Sequence, residues 1–389
     1  MIILTANNPV KETDMIIPDN YLTTIVLIVY LCAFLVQGFY LFFFYMRVAM
    51  FRQEAGTAKP EPISVIICAR DEASHLEKFL PQVLTQDYPD YEVIVVNDCS
   101  EDRTGEVLEQ LAGRYPHLRV TTIKKDEKFR HGKKLALAIG IKAAKHDLLL
   151  LTDADCVPVS KYWTRDIQKH FGKETDFVLG YGGYFSGKGW LNLHIRMDTA
   201  WIAMHYLGYA LAGIPYMGVG RNLAYRKKIF FENRGFASHT HLESGDDDLF
   251  VNAHARKNNT RVEIAPTAHT RSVPAGSLKE WLIQKQRHIT TGSRYRKATR
   301  WLLGGEWFSR ILFYAGFITL LFIYEPWYIP LSVFVLRWLM QLIVFKIVMR
   351  RLNENNLLLY SLFYDAVQPF LNMLLFLAAR VKARKSKWK

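Results

Sequence analysis

Two blocks of almost unbroken apolar residues bracket a long stretch in which short apolar runs alternate with polar ones. Residues 21–46 carry no charge. They exceed the roughly 20 residues a helix needs to cross the hydrocarbon core. Asp14 and Asp19 precede this run, and Arg47 and Arg52 follow it. That asymmetry predicts an external N-terminus and a cytoplasmic chain from Arg52 onward. A cleaved signal peptide fits less well, because the run is long, starts late, and lacks a basic start or a small-residue cleavage site. In the second block, residues 311–324 and 328–349 are separated by Glu325-Pro326-Trp327. They predict a hairpin across the bilayer, and Arg350 and Arg351 return the chain to the cytoplasm. Residues 357–379 are interrupted by Asp365, Gln368 and Pro369 and lead into a tail of Arg380, Lys382, Arg384, Lys385, Lys387 and Lys389. A re-entrant or interfacial element broken at Gln368-Pro369 keeps this tail inside, whereas a plain fourth span puts it outside. The expected plan is an anchor over 1–52, a domain over 60–300, a membrane region over 301–380 and a basic tail over 381–389.

Between the blocks the pattern changes. A polar linker, residues 52–62, leads into a β-rich run at 63–68 (ISVIIC). A helix is expected over 77–86, a strand over 92–96, a helix over 103–114 and a strand over 118–123. Another helix follows over 133–144 and a fully apolar strand over 148–152. Strand alternating with helix predicts a Rossmann-like α/β domain with a mainly parallel sheet covered on both faces. Ligands of such sheets bind beyond the carboxyl ends of the strands. Residues 190–212 mix apolar and polar positions and read as an interfacial helix beneath that site.

Composition narrows the class. The chain has 389 residues, 22% charged and 50% hydrophobic, which excludes a disordered protein. Cys32, Cys68, Cys99 and Cys156 stand far apart, without zinc-type spacing or a disulfide framework. The net charge of +14 gathers beside the apolar blocks, so membrane lipids with anionic head groups explain it better than nucleic acid, for which no motif is present.

The polar residues after each strand are the candidates for chemistry. Ala69-Arg70-Asp71-Glu72 follow the first, Asn97-Asp98-Cys99-Ser100 the second, and Asp153-Ala154-Asp155 the apolar strand. In extended backbone, Asp153 and Asp155 face the same way and suit Mg²⁺ or Mn²⁺. His131-Gly132-Lys133-Lys134 opens a helix, where free N–H groups and lysines suit a diphosphate. In Gly245-Asp246-Asp247-Asp248, adjacent carboxylates repel one another and raise at least one pKa toward that of a general base. Gln284-Lys285-Gln286-Arg287-His288 offers Arg287 as a planar donor fork for a leaving diphosphate.

In this order, these pieces resemble the membrane-anchored family 2 glycosyltransferases with a GT-A domain. That group includes hyaluronan, chitin, cellulose and poly-N-acetylglucosamine synthases and ceramide glucosyltransferases. The resemblance covers residues 62–296 and implies Ala69, Arg70, Glu72 and Asp98 around the nucleotide and Lys133 near its diphosphate. It further implies Asp153 near the nucleotide, Asp155 on the metal, and Asp247, with Asp246 beside it, as the base. Residues 218–227 (GVGRNLAYRK) are similar to the acceptor-side loop, with Gly220 and Asn222, and QKQRH to a QxxRW motif at Gln284 and Arg287. His288 stands where that motif has Trp, which, with the thin membrane region, argues against a processive polysaccharide synthase. The implied activity is inverting transfer from a nucleotide-sugar donor, a UDP-sugar, to a lipid or glycan acceptor at the cytoplasmic face. A silent scaffold and a nucleotidyl- or phosphotransferase are the other classes. The first conflicts with the intact acidic and basic set, and the second lacks a Walker-type loop.

Overall fold

The computed structural model describes residues 19–52, 59–124, 132–240, 242 and 244–386. Asp14, His131, Glu243 and residues 387–389 lie outside them.

The first helix, α1 (Asp19–Phe39), runs through a π-helical turn (Tyr40–Tyr45) into α2 (Met46–Ala49). Strand and helix then alternate through β1 (Ile63–Ala69), α3 (Ala73–Val83), β2 (Tyr91–Asp98), α4 (Thr104–Arg114), β3 (Leu118–Ile123), α5 (Lys133–Ala143) and β4 (Leu148–Asp153). Next come β5 (Cys156–Pro158), α6 (Trp163–Gln168), β6 (Phe177–Gly180), β7 (Gly182–Tyr184), α7 (Trp190–Leu211), β8 (Leu223–Arg226) and α8 (Lys227–Glu232). The domain ends with α9 (Asp248–His254), β9 (Thr260–Glu263), β10 (Thr270–Ser272) and α10 (Leu278–Ile289). Three long helices follow: α11 (Lys297–Ile323), α12 (Tyr328–Arg351) and α13 (Tyr360–Ser386).

Seven strands form one sheet in the order β3-β2-β1-β4-β8-β6-β9. β3, β2, β1 and β4 are parallel, and β8 is antiparallel to both of its neighbours. A three-stranded sheet, β5-β10-β7, stands beside it. Period-two alternation divides the strand side chains between two cores. Val65, Ile67, Val93 and Val95 pack with Leu76, Leu80, Val107 and Leu108 of α3 and α4. Ile66, Ile94 and Val96 face the other way, onto Leu137 and Ile141 of α5.

α3 starts at Ala73, before the expected 77. Asp102 Oδ2 accepts from the Ala73 N–H at 3.1 Å and Thr104 Oγ1 from the Glu72 N–H at 2.9 Å, which satisfies the otherwise orphaned first turn.

That second core continues into the membrane region. It includes Met204 and Tyr209 of α7, Phe44 and Val48 at the end of the first helix, and Val344, Phe345 and Val348 of α12. α7 is therefore largely buried, lying between the sheet and the helix ends. A Cβ at Gly208 would stand 2.7 Å from the Phe44 carbonyl oxygen, so this crossing needs glycine.

Among the described residues, four helices are long and apolar enough to cross a membrane: Tyr21–Ala49, Lys297–Ile323, Tyr328–Arg351 and Tyr360–Ala378. The break expected at Gln368-Pro369 is absent, and α13 runs on through Pro369. The Pro369 carbonyl accepts from Trp307 Nε1 at 3.0 Å, and Gln368 Oε1 accepts from Arg310 Nη1 at 3.1 Å.

Candidate active site

Strand order turns at β1, with β2 and β3 on one side and β4 on the other, and this opens a crevice at the carboxyl ends of the strands. Ala69 is buried at the end of β1 and Arg70 is exposed beside it. Asp98 is buried at the end of β2. The two strand ends are tied together: Asp71 N–H donates to Ser100 Oγ at 3.0 Å, and Glu101 N–H to Asp71 Oδ1 at 2.7 Å. Glu72 Oε2 lies 2.5 Å from His75 Nδ1.

Lys133 opens α5 and reaches across the crevice. Its Nζ donates to Asp153 Oδ1 at 2.6 Å and stands 3.6 Å from Asp246 Oδ2. Desolvation alone would lower the Lys133 pKa, but Asp153, Asp246 and Asp247 outweigh it and hold the ammonium well above its usual range. Desolvation would raise the Asp153 pKa, and Lys133, with Arg221 behind it, pulls it below the ordinary value instead. Asp155 Oδ2 accepts from Ser272 Oγ at 2.5 Å. Donor atoms of Asp153, Asp155 and Cys156 lie within 4.8 Å of one another. Burial, then the charge of Asp155, pushes the Cys156 thiol well up, so it stays protonated and leaves two carboxylates as hard oxygen donors.

The acidic run closes the crevice from the far side, and its carboxylates diverge. Asp246 is buried, and desolvation raises its pKa against the pull of Lys133. Asp247 is held by two backbone donors, Gly220 N–H to Oδ2 and Asp248 N–H to Oδ1, both at 2.7 Å. A Cβ at Gly220 would lie at ordinary contact distance from Lys133 Nζ (3.4 Å) and Asp247 Oδ2 (3.5 Å), which places this loop directly against both groups. Asp248 turns away from the crevice and accepts from Tyr295 OH at 2.7 Å and from Thr291 Oγ1.

α10 brings the remaining motif alongside. Gln284 Nε2 donates to Tyr184 OH at 3.4 Å. The His288 ring lies within electrostatic range of Asp246, Lys133 and Asp153. Arg287 is exposed in the last turn, and among the described residues it makes no ion pair with the crevice carboxylates. Asn222 does not reach the crevice. It is fully buried, its Oδ1 accepts from Trp163 Nε1 at 3.0 Å, and its Nδ2 donates to the carbonyls of Tyr181 and Ala268. Its amide ties the loop to Trp163, Tyr181 and Ala268, so the expected acceptor contact is replaced by a scaffolding one.

Residues 64–233 match the family described as Glycosyl transferase family 2. Over these residues the chain is similar to the family 2 glycosyltransferases. Glycosyltransferase AglE of Haloferax volcanii is 33% identical over 120 residues, which is 30% of this chain and 38% of AglE. The chain thus spans well under half of that relative's length. Probable glycosyltransferase YdaM of Bacillus subtilis is 25% identical over 331 residues, 82% of this chain and 71% of YdaM. Among solved structures, the mannosyltransferase PcManGT from Pyrobaculum calidifontis, in complex with GDP-Man and Mn²⁺, superposes with a TM-score of 0.57. It is 18% identical and covers 88% of this chain and 98% of its own. The fold is GT-A.

Two further residues stand at the site without having been expected there. Arg221 lays its guanidinium over the Tyr184 ring, 4.3 Å from the centroid, in the field of Asp153 and Asp155. Its carbonyl accepts from Thr152 Oγ1 and Thr270 Oγ1, which fixes the backbone. The available signal was a lone cation between Gly220 and Asn222, entering an apolar strand. Tyr184 joins this arginine to Gln284, and its only sequence signal is a place near the end of a short strand.

The site is also tied to the membrane helices. Arg271 precedes Ser272, the donor to Asp155, and its Nη2 donates to the carbonyls of Leu352 and Asn353 between α12 and α13. Glu354 in that turn pairs with Arg271 and with Arg196 Nη2, the latter at 2.7 Å, and accepts from Tyr181 OH at 2.9 Å.

Proposed function

We propose that this protein is an inverting glycosyltransferase that moves a sugar from a nucleotide-sugar donor, a UDP-sugar, to a hydroxyl of a lipid or glycan acceptor at the cytoplasmic membrane face. The observation that carries this reading is the placement of Asp247. Its carboxylate is oriented by two backbone N–H groups and stands across the crevice from Asp153 and Asp155, with Lys133 between them.

Asp247 takes the proton of the acceptor hydroxyl as that oxygen bonds to the anomeric carbon. The bond from that carbon to the diphosphate breaks, and its electron pair leaves on the diphosphate oxygen. Lys133, and Arg287 once α10 meets the donor, neutralise that charge. One base and one displacement give inversion. Glu72 and Asp98 line the nucleotide end, with Ala69 and Arg70 beside them. Gly220 and His288 flank the acceptor. Asp153 and Asp155 fit Mg²⁺ or Mn²⁺ as two convergent oxygen donors, and such a cation would supply further charge stabilisation to the diphosphate. The basic residues at the helix ends, Arg47, Arg52, Arg350 and Arg351, support the cytoplasmic placement. The four candidate spans among the described residues, few for a polymer channel, and His288 in place of Trp favour single transfer over a processive synthase.

The test is donor-specific release of nucleoside diphosphate by purified protein, with membrane lipid extract as acceptor, with and without EDTA. Asp247→Asn is expected to lower turnover by at least about 100-fold, with nucleotide-sugar binding retained. Parental turnover by Asp247→Asn would remove the base assignment, and full activity in EDTA would remove the metal.

A further inference from the structure

A basic groove lies where the first apolar helix ends. Arg47, Phe51, Leu211, Gly213, Lys257 and Arg261 line a groove of 410 Å³ between that helix end, the C-terminal end of α7 and the edge strand β9. It lies apart from the crevice residues described above. Phe51 and Leu211 give it an apolar floor. Its rim is cationic. The Lys257 stem crosses Gly213, which has φ of 83°, and a Cβ there would meet Lys257 Cδ at 2.9 Å. Arg256, next to Lys257 in the chain, and Arg296 add further positive charge nearby. Burial and the neighbouring Arg256 lower the pKa of Arg296.

No carboxylate among the described residues pairs with these cations. Among the described residues, their hydrogen bonds go to carbonyl oxygens: Arg47 to Phe43, Arg256 to Ala255, Arg261 to Asn258 and Thr260, and Arg296 to Ala255 and Pro215. The nearby Glu263 is buried and engaged by Lys169 and His170, each at 2.7 Å. The level of the groove is also defined. Arg47 is in the last turn of one candidate span, and Arg296 immediately precedes Lys297, the start of another. Exposed Phe42, Phe43 and Met50 provide an apolar strip beside the groove on the same helix end.

We propose that this groove binds the phosphate-bearing head group of an anionic phospholipid, with its acyl chains along Phe42, Phe43 and Met50. Juxtamembrane cations attract such lipids, and the phosphate supplies negative charge that the described residues do not place against these cations. The proposal rests on the reading of these helices as membrane spans and is independent of the sugar-transfer reading.

The test uses full-length protein in detergent with mixed phosphatidylcholine and phosphatidylglycerol, and native mass spectrometry of the retained lipid. Phosphatidylglycerol is expected to be enriched over phosphatidylcholine. The Lys257→Ala, Arg261→Ala double variant should lose about fivefold of that enrichment per cation removed. Lys257→Gln alone, at an exposed position, should lose about fivefold and guards against misfolding of the double variant. Lys78→Ala, far from the groove, should lose none. Nucleotide-sugar binding should be parental in all of these. Unchanged enrichment in folded Lys257→Gln and double variants would overturn the proposal. Displacement of the lipid by millimolar inorganic phosphate would also overturn it and mark a soluble-anion site instead.

Discussion

At the scale of single residues, neighbouring carboxylates in one motif have different fates because the backbone aims each one differently. Asp247 faces the crevice between two N–H donors, while Asp248 begins α9 and points into protein. Burial, and then the charge of Asp247, push the Asp248 carboxyl up to about 7 from an ordinary 3.8, against the opposing hydrogen bonds of Thr291 and Tyr295. The folded state therefore holds a proton that the unfolded chain releases near pH 4, and stability falls as pH rises from about 4 to about 7. One such proton is worth about 1.4 kcal/mol per pH unit. Asp248→Asn is expected to flatten this slope in thermal melts between pH 5 and 8 and to gain most at the alkaline end. An unchanged slope would mean that Asp248 is ionised throughout. The acidic run and the DxD ending an apolar strand stand out in the sequence as candidates, and the fold brings Asp153 and Asp246 to the same lysine, Lys133. The divergence of the carboxylates was not legible, since it depends on the first turn of α9. Asn222 was misjudged for a related reason: an amide in a loop motif reads the same whether it faces a ligand or holds the loop together.

At the scale of elements, the strand and helix order through β4 followed from apolar runs and their stops, and the sheet was legible as mainly parallel; the six short strands after β4 and the antiparallel β8 were not. Which helix faces were held, and by what, was not legible. α10 carries Gln284, Arg287 and His288, and it is fixed to its surroundings by the residue between them in the motif. Lys285 Nζ lies 2.6 Å from Asp198 Oδ2 of α7, and Asp198 Oδ1 accepts from Tyr364 OH of α13 at 2.7 Å. Lys285 and Asp198 are 14% and 9% exposed, so solvent screens the pair weakly. A double-mutant cycle with Lys285→Ala and Asp198→Ala should give a coupling energy of about 1–3 kcal/mol. If the pair positions α10, each single variant should lower turnover further than its thermal destabilisation accounts for, through a raised acceptor KM with donor affinity unchanged. Additive effects would show that α10 is held by its apolar contacts with α13 instead.

At the scale of the whole molecule, the polar residues that interrupt the apolar helices hold them together. Asp365 and Gln368 read in the sequence as breaks in a span. In the fold they meet cations from other helices, and the sequence signal that identifies them is the pair of arginines, Arg310 and Arg337, inside apolar runs. Asp365 accepts from Arg337 Nη1 at 2.7 Å and from Tyr314 OH at 2.6 Å, and Arg310 Nε lies 3.5 Å away. Glu306 pairs with Arg310, and Gln37 of α1 accepts from Arg337 Nη2 at 2.9 Å. Arginines and carboxylates here balance in charge, and α1, α11, α12 and α13 each contribute. Tyr364, next to Asp365 in the chain, continues the polar path through Asp198 to Lys285 on α10. The bundle and the crevice are therefore mechanically one body. Asp365→Ala leaves Arg310 and Arg337 with Glu306 as the remaining carboxylate, an unpaired charge in a buried site, at a cost of about 3–5 kcal/mol. It is expected to lower the melting midpoint in detergent and the monodisperse yield sharply. Arg337→Met combined with Asp365→Ala removes the charge imbalance and should recover much of that loss. If the double variant is as unstable as Asp365→Ala alone, the hydrogen bond from Tyr314 and the packing around Asp365, rather than charge balance, hold the bundle.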